Sequence, residues 1–477
     1  MNDNKNINDF ISSPLEVGGN SSPLGAGGLG VFYFIGIGGI GMSALARYFQ
    51  SLGKTVSGYD RTPTPLTREL EQSGIAIHYE DNIELAPKDA DVIVYTPAIP
   101  ASHTELIYYR EHDYKVVKRS DILQWITESS FNICIGGTHG KTTITAMTAH
   151  LLRDTGYGCN AFLGGISANY NTNFWSSERN VVVVEADEYD RSFLKLVPDV
   201  AVITAMDPDH LDIYGTPLEV ENAFVQFSNR VKPGGLLISK YGLSRTADLH
   251  ATHHYTYSFN DVNADVYAAD IKVENGAYRY NVIHKEWILK DVVLNMGGLH
   301  NIENSIAAIT VAKYLNIEDD KIKTAVNNFK GVRRRFEYML RTERHVMIDD
   351  YAHHPEELKA LISGVRSLYA NEKCTVIFQP HLFSRTQDLS TEFAASLDMA
   401  DEVILLPIYP ARELPMEGVT SELILDKMKL ENKQILSKEA MKTWVAAHKP
   451  KLLVMCGAGD IDTLLQPVKQ ILESIEA

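Results

Sequence analysis

The sequence predicts an α/β protein of three domains in series, each built on a doubly wound, largely parallel sheet. Three observations carry this expectation. Short apolar runs alternate with helical segments along most of the chain, the pattern of βαβ units. Two of these runs end in glycine turns that open helices, "GIGGIGMSALA" and "GGTHGKTT". And 477 residues exceed one ordinary core, at roughly 100 to 200 residues per domain.

The first domain is expected over residues 31–127. Phe32 to Asp60 reads as strand, glycine turn, helix and second strand; "DADVIVYTPAIP" and "KVVKRSDILQWI" add two more strands and a helix. The spacing Gly36, Gly38, Gly41 is that of a dinucleotide fingerprint, and Asp60 stands where such folds place a carboxylate on a ribose. Glycines at this spacing let backbone approach a pyrophosphate and aim a helix N-terminus at it. NAD and a UDP-linked sugar both carry that group, so the turn alone leaves both open.

The second domain is expected over residues 128–331. Its strongest signal is Gly136-Gly137-Thr138-His139-Gly140-Lys141-Thr142-Thr143, between an apolar strand and a helix. The spacing is one residue shorter than the strict phosphate-loop motif, yet its mechanics hold. Backbone amides cradle phosphates, Lys141 reaches the transferred phosphoryl group and the Thr142 hydroxyl can ligate magnesium, so ATP is the expected nucleotide. Glu185 ends "VVVVE" and His210 ends the next strand, which makes them candidate magnesium ligands with Thr142. Residues of about 250 to 295 alternate in polarity and read as an antiparallel β subregion. His300, Asn301 and Asn304 open a helix, where asparagines can read an adenine edge or simply cap.

The third domain is expected over residues 332–477. "GVRRRFE" gathers Arg333, Arg334 and Arg335 at the join, where closure could bring a cation to the γ-phosphate. Asp349, Asp350, Tyr351, His353 and His354 end a strand, and with His381 and Arg385 they suggest a mixed pocket for an amino acid.

Composition bounds the rest. With 45% hydrophobic and 22% charged residues this is an ordinary globular chain, and a net charge of -16 with no long basic run argues against nucleic acid and acidic membrane surfaces. Four scattered cysteines without a CxxC pair read as reduced core residues of a cytoplasmic protein. No run approaches about 18 apolar residues, so no membrane span is expected. Residues 1–30, rich in Asn, Ser, Gly and Pro, are expected to be a disordered tail without assigned function. A monomer or weak homodimer is expected.

Through "GIGGIGMSALA", "GGTHGKTT", "EADEYDRSF", "DPDHLDIYG", "GLHNIENSIAA", "GVRRRFE", "DDYAHHPEE", "FQPHLFSRT" and "GAGDI", in order from Phe32 onward, the chain resembles the Mur ligases. The resemblance implies a Rossmann-like UDP-substrate domain, a central P-loop ATPase domain and a Rossmann-like C-terminal domain that closes over ATP and receives the amino acid. It implies ATP- and Mg2+-dependent joining of L-alanine to the lactyl carboxylate of UDP-N-acetylmuramate, a step of peptidoglycan precursor synthesis. Lys141, Glu185, His210 and Arg335 would be catalytic. Gly137 to Thr143, His300, Asn301, Asn304, Arg335 and Asp350 would hold ATP. Gly36, Gly38, Gly39, Gly41, Met42, Ser43, Asp60, Thr96, Ala98, Tyr351, His353, His381 and Arg385 would contact the substrates. Other branches carry a lysine in the helix after "DHLD"; Thr216 to Arg230 holds none, as in the alanine-adding branch. The alternatives are a tripeptide-recycling relative, a P-loop switch ATPase and an NAD-dependent oxidoreductase.

Overall fold

A computed structural model describes residues 30–474 apart from 209, 275 and 412. All of the expected tail except Gly30 therefore lies outside the described residues.

Five strands form the first sheet: β1 (Val31–Ile35), β2 (Thr55–Tyr59), β3 (Ala76–His78), β4 (Val92–Tyr95) and β5 (Val116–Lys118), in the order β3-β2-β1-β4-β5 with every pairing parallel. Strand β1, "VFYFI", is buried from Phe32 to Ile35, the continuous apolar run of a strand covered on both faces. The order reverses between β1 and β4, and a doubly wound sheet opens its ligand crevice at such a point. The glycine turn after β1 and the Thr96 loop after β4 both lie there.

The second sheet has ten strands, of which the first seven in the chain are β6 (Phe131–Gly136), β7 (Asn160–Ser167), β8 (Thr172–Trp175), β9 (Val181–Ala186), β10 (Val200–Ile203), β11 (Leu236–Lys240) and β12 (His253–Ser258), ordered β12-β11-β10-β6-β9-β7-β8. Only β7 and β8 pair antiparallel among these seven. The alternating run at β12 suggested an antiparallel hairpin, but the chain returns through residues 241–252 and β12 joins β11 in parallel. Alternation reports one covered face; it does not report strand direction. Strands β13 (Val266–Glu274), β14 (Ala277–His284) and β15 (Trp287–Leu294) continue the same sheet beyond β12 in that order, joined by two-residue connections that permit only antiparallel neighbours.

The chain divides into two compact units. Among the described residues, one unit is 30–268 with Val282–Leu289 and Glu303–Val326; the other is Ala269–Asn281, Lys290–Ile302 and 327–474. In the first unit the two α/β regions share one core, running from Phe32, Phe34 and Phe49 to Phe162, Val184 and Phe227. Helix Ile40–Ser51 makes the join. Tyr48 stacks edge-on against Phe162 at 5.2 Å, and Asn173 Nδ2 donates to Ser43 Oγ at 2.9 Å.

The second unit carries its own sheet: β16 (Glu337–Arg341), β17 (Val346–Asp350), β18 (Cys374–Phe378), β19 (Glu402–Leu405), β20 (Lys433–Ile435) and β21 (Leu452–Cys456), ordered β16-β17-β21-β18-β19-β20. Only the edge strand β16 is antiparallel. Met347, Ile377, Ile404 and Met455 fill its core against Val445 and Val468. All four cysteines are free and buried. Among the described residues no helix is long and apolar enough to cross a membrane.

Candidate active site

In the first unit the glycine turn is braced from behind. Gly36 and Ile37 amides donate to the Tyr59 carbonyl at 2.8 and 2.9 Å, and the Gly39 amide donates to Gly36 O at 3.2 Å. Asp60 Oδ2 accepts from the Gly38 amide at 2.8 Å, so this carboxylate holds the turn itself. A Cβ on Gly36 would press on Ile99 and Thr96, at 3.1 and 3.4 Å, which places the two crevice loops against each other. Ala98 is exposed in the same loop. Met42 and Ser43 face inward: Met42 is 2% exposed and Ser43 fully buried.

The phosphate loop leaves β6 through Gly137 at φ +134° and enters helix Lys141–Asp154 through Gly140 at φ +80°. Both values are in the region that favours glycine. A Cβ on Gly137 would collide with Thr204 Oγ1, and one on Gly140 would lie 2.9 Å from Asn304 Oδ1. Thr204 Oγ1 donates to the His139 carbonyl, and Thr138 Oγ1 accepts from the Asp207 amide at 3.1 Å, so the loop's outer wall is tied to the segment after β10. The Thr143 side chain is buried beneath the loop.

Lys141 Nζ donates to the Gly137 carbonyl at 2.7 Å and pairs with Glu188 at 2.8 Å. Thr142 Oγ1 donates to Glu185 Oε1 at 3.0 Å, and Glu185 Oε2 accepts from the Gly164 amide at 3.1 Å. His210 stands at φ +50° before the turn Leu211–Tyr214, with its ring edge-on to Tyr189 at 5.2 Å. Among the described residues no group of three or more His, Cys, Asp or Glu forms a metal cluster. The oxygen pair Thr142 and Glu185 nevertheless suits a hard cation that takes its other ligands from phosphate and water, as magnesium does beside nucleotides. The loop, with backbone where side chains would collide, fits a phosphate chain.

A cavity of 140 Å³ lies between the start of helix Ile40–Ser51 and strands β7 and β9. It is lined by Gly41, Ala44 and Arg119 on one side and by Gly164, Glu185 and Asp187 on the other.

In the second unit, Asp350 accepts from the Phe336 and Ala352 amides at 2.8 and 2.7 Å, and burial lifts its carboxyl to about 6. Asp349 is fully buried 3.6 Å from Arg334 Nε; burial, opposed by that guanidinium, lifts its carboxyl to about 7. Arg334 turns inward to the Gly457 carbonyl, at φ +61°, while Arg333 and Arg335 are exposed. The rings of Tyr351, His353, His381 and Tyr409 follow one another at 5.0, 5.9 and 5.8 Å. Arg385 lies on helix Phe383–Asp388, just beyond His381, and its Nη1 is buried without a hydrogen-bond partner among the described residues. Asn301 Nδ2 donates to Gly297 O at 2.7 Å, tying the first turn of the helix to the segment before it, and the His300 ring packs over Gly298.

Three family models match the chain in order: the Mur ligase family catalytic domain at residues 31–130, the Mur ligase middle domain at 135–312, and the Mur ligase glutamate ligase domain at 334–461. A UDP-N-acetylmuramate--L-alanine ligase of Parabacteroides distasonis is 48% identical over 447 residues, covering 92% of this chain and 96% of that protein. The chain belongs to the Mur ligase family. A second such ligase, from Porphyromonas gingivalis, is 47% identical and covers 93% and 99%. Among solved structures, a UDP-N-acetylmuramate-alanine ligase of Thermotoga maritima superposes with a TM-score of 0.77 at 26% identity, covering 93% of this chain and 99% of that one. A murein peptide ligase of Psychrobacter arcticus, at 21% identity and TM-score 0.62, shares the fold.

For this Mur ligase the structure brings together Lys141, Thr142 and Glu185 around one loop, and sets Asn304 against Gly140. It also exposes what the motif reading missed. Glu188 was visible only as one acid in "EADEYD", and its spacing from Glu185 carries no phosphate-loop signature. Arg119 was one of three cations around a strand, "KVVKRS", with nothing to single it out. Their partners are 47 and 68 residues away in sequence, so only the fold reveals them.

Proposed function

We propose that this Mur ligase joins L-alanine to the lactyl carboxylate of UDP-N-acetylmuramate at the expense of ATP, through an acyl phosphate, with release of ADP and phosphate. One observation supports this reading above the others. The cavity beside Gly41 opens on Glu185, which is hydrogen-bonded to Thr142 of the phosphate loop. A sugar nucleotide lying on the glycine turn can therefore extend toward the phosphate loop within one compact unit. An NAD-dependent oxidoreductase leaves Lys141, Thr142 and Glu185 without a task, and a switch ATPase leaves the first sheet without one.

In this reading the amides of Gly137 to Thr143 hold the phosphates, and Lys141 neutralises charge on the transferred group. Thr142, Glu185 and His210 would hold magnesium, which offsets charge on the phosphate oxygens when bound. Asn304 orients the loop or the nucleotide from the far wall, with Asn301 and His300 at the helix start. In the second unit, Asp350 and Arg335 serve the nucleotide, while Tyr351, His353, His381 and Arg385 receive the amino acid, Arg385 taking its carboxylate. Thr96, Ala98, Gly39, Met42 and Ser43 shape the crevice for UDP. Four buried free thiols fit the reducing cytoplasm, where the UDP precursor would be met. Incubation with ATP, UDP-N-acetylmuramate and L-alanine should give, by mass spectrometry, a UDP-muramyl product heavier by one alanyl residue. No such product with alanine, but product with a peptide, would favour the recycling branch.

A further inference from the structure

We propose that Arg119 is the side chain that pairs with the diphosphate of the sugar nucleotide, exchanging Asp187 for phosphate oxygens. This rests on the function proposed above and adds a residue to it.

The glycine turn has few donors to offer. The amides of Gly36, Ile37, Gly38 and Gly39 are all bonded to protein acceptors, namely Tyr59 O, Asp60 Oδ2 and Gly36 O. What remains are the first amides of helix Ile40–Ser51, which have no intrahelical partner. Two negative phosphates need more than these, because Glu185 and Asp187 line the adjoining cavity and repel an anion. Arg119 is the one cation among the described residues lining it.

Its position suits the task. Arg119 opens helix Arg119–Glu128 directly after β5, on the same sheet edge as the glycine turn, because β5, β4 and β1 run parallel. The guanidinium lies over Gly41: a Cβ there would overlap Nη1 and stand 3.3 Å from Cδ and Cζ. The third fingerprint glycine thus makes room for an arginine beside the helix N-terminus. Arg119 is partly exposed, and its bond to Asp187 Oδ2 is 3.3 Å, longer than the 2.7 to 2.9 Å usual for such charge-assisted bonds. A planar fork held this loosely can turn to phosphate oxygens in bidentate geometry.

The test is calorimetric binding of UDP and of UDP-N-acetylglucosamine, both of which carry the diphosphate without a lactyl carboxylate, to the full chain. Arg119→Ala should weaken both about tenfold or more while leaving ATP binding unchanged, and Arg119→Lys should recover part of the loss. Asp187→Asn, which frees the guanidinium, should bind UDP at least as tightly as the parent. Thermal unfolding of each variant separates binding from folding. Unchanged UDP affinity in Arg119→Ala would overturn the proposal, even if the KM for UDP-N-acetylmuramate rose, since the arginine would then read the carboxylate. Equal losses in Arg119→Ala and Asp187→Asn would also overturn it, since the pair would then only hold the fold. A parent that binds ATP but neither UDP compound would instead remove the sugar-nucleotide reading of the first domain.

Discussion

Lys141 Nζ lies 2.8 Å from the carboxylate of Glu188, a side chain only 2% exposed, whose backbone carbonyl accepts from Tyr214 OH at 2.6 Å. The lysine proposed to meet the phosphates is therefore one half of a largely buried ion pair. Motif reasoning assigns Lys141→Ala a loss of activity with folding little changed; the pair adds a stability cost. Removing the ammonium should lower kcat by about 10³-fold. It should also destabilise the chain by about 3 to 5 kcal/mol, because a buried carboxylate loses its counter-charge. The double variant Lys141→Ala/Glu188→Gln should regain much of the stability and none of the activity. Chemical denaturation and initial rates measure both; a fully stable Lys141→Ala single variant would show that the pair contributes nothing.

Gly38 sits where a side chain would meet Thr67 Cγ2 at 2.6 Å and Asp60 Oδ2 at 2.8 Å. Gly38→Val should push Asp60 off the turn and raise the KM for the UDP substrate by about tenfold or more, with ATP affinity nearly unchanged. Titrating each substrate separately checks this. Loss of ATP binding instead would place the nucleotide on the wrong sheet.

Arg385→Ala should raise the KM for L-alanine by about tenfold or more, with smaller effects on ATP and the UDP substrate. The basis is the buried Nη1, which has no hydrogen-bond partner among the described residues, since a guanidinium in such a place binds carboxylate well. Saturation curves for alanine decide it; an unchanged KM would move the amino-acid site elsewhere.

Asp349 predicts a pH effect on stability. Burial lifts its carboxyl to about 7, Arg334 opposes the shift, and Glu337, Asp350 and Asp462 add to it. The native state thus keeps a proton that the unfolded chain releases near pH 4. Between these values the folded form binds more protons, so the contribution of Asp349 falls as pH rises from about 4 to 7. Asp349→Asn removes this dependence. The difference in unfolding free energy, variant minus parent, should climb from about pH 4 to about pH 7 and level off above it, by on the order of a few kcal/mol in total. A flat difference would mean that Asp349 ionises normally.

The local motifs were legible because their chemistry is contiguous. A glycine that must adopt φ +134° beside Thr204 leaves its mark at Gly137, and a buried parallel strand leaves "VVVVE". Strand direction at β12 was not legible, since alternation is the same for either direction. Nor was the shared core of the first two α/β regions, which depends on Tyr48 meeting Phe162 and Phe174 more than 100 residues on. Arg119 and Glu188 were hidden for the same reason. A charged residue's partner is set by which sheet edges the fold places together.

The central claim is that one chain couples a UDP-muramyl carboxylate, an amino acid and ATP. Phosphate release, followed with each substrate omitted in turn, tests it most directly. The account predicts sustained release only when ATP, UDP-N-acetylmuramate and L-alanine are all present, with one phosphate for each alanylated product. Release from ATP alone at the full rate, or no dependence on L-alanine, would contradict it.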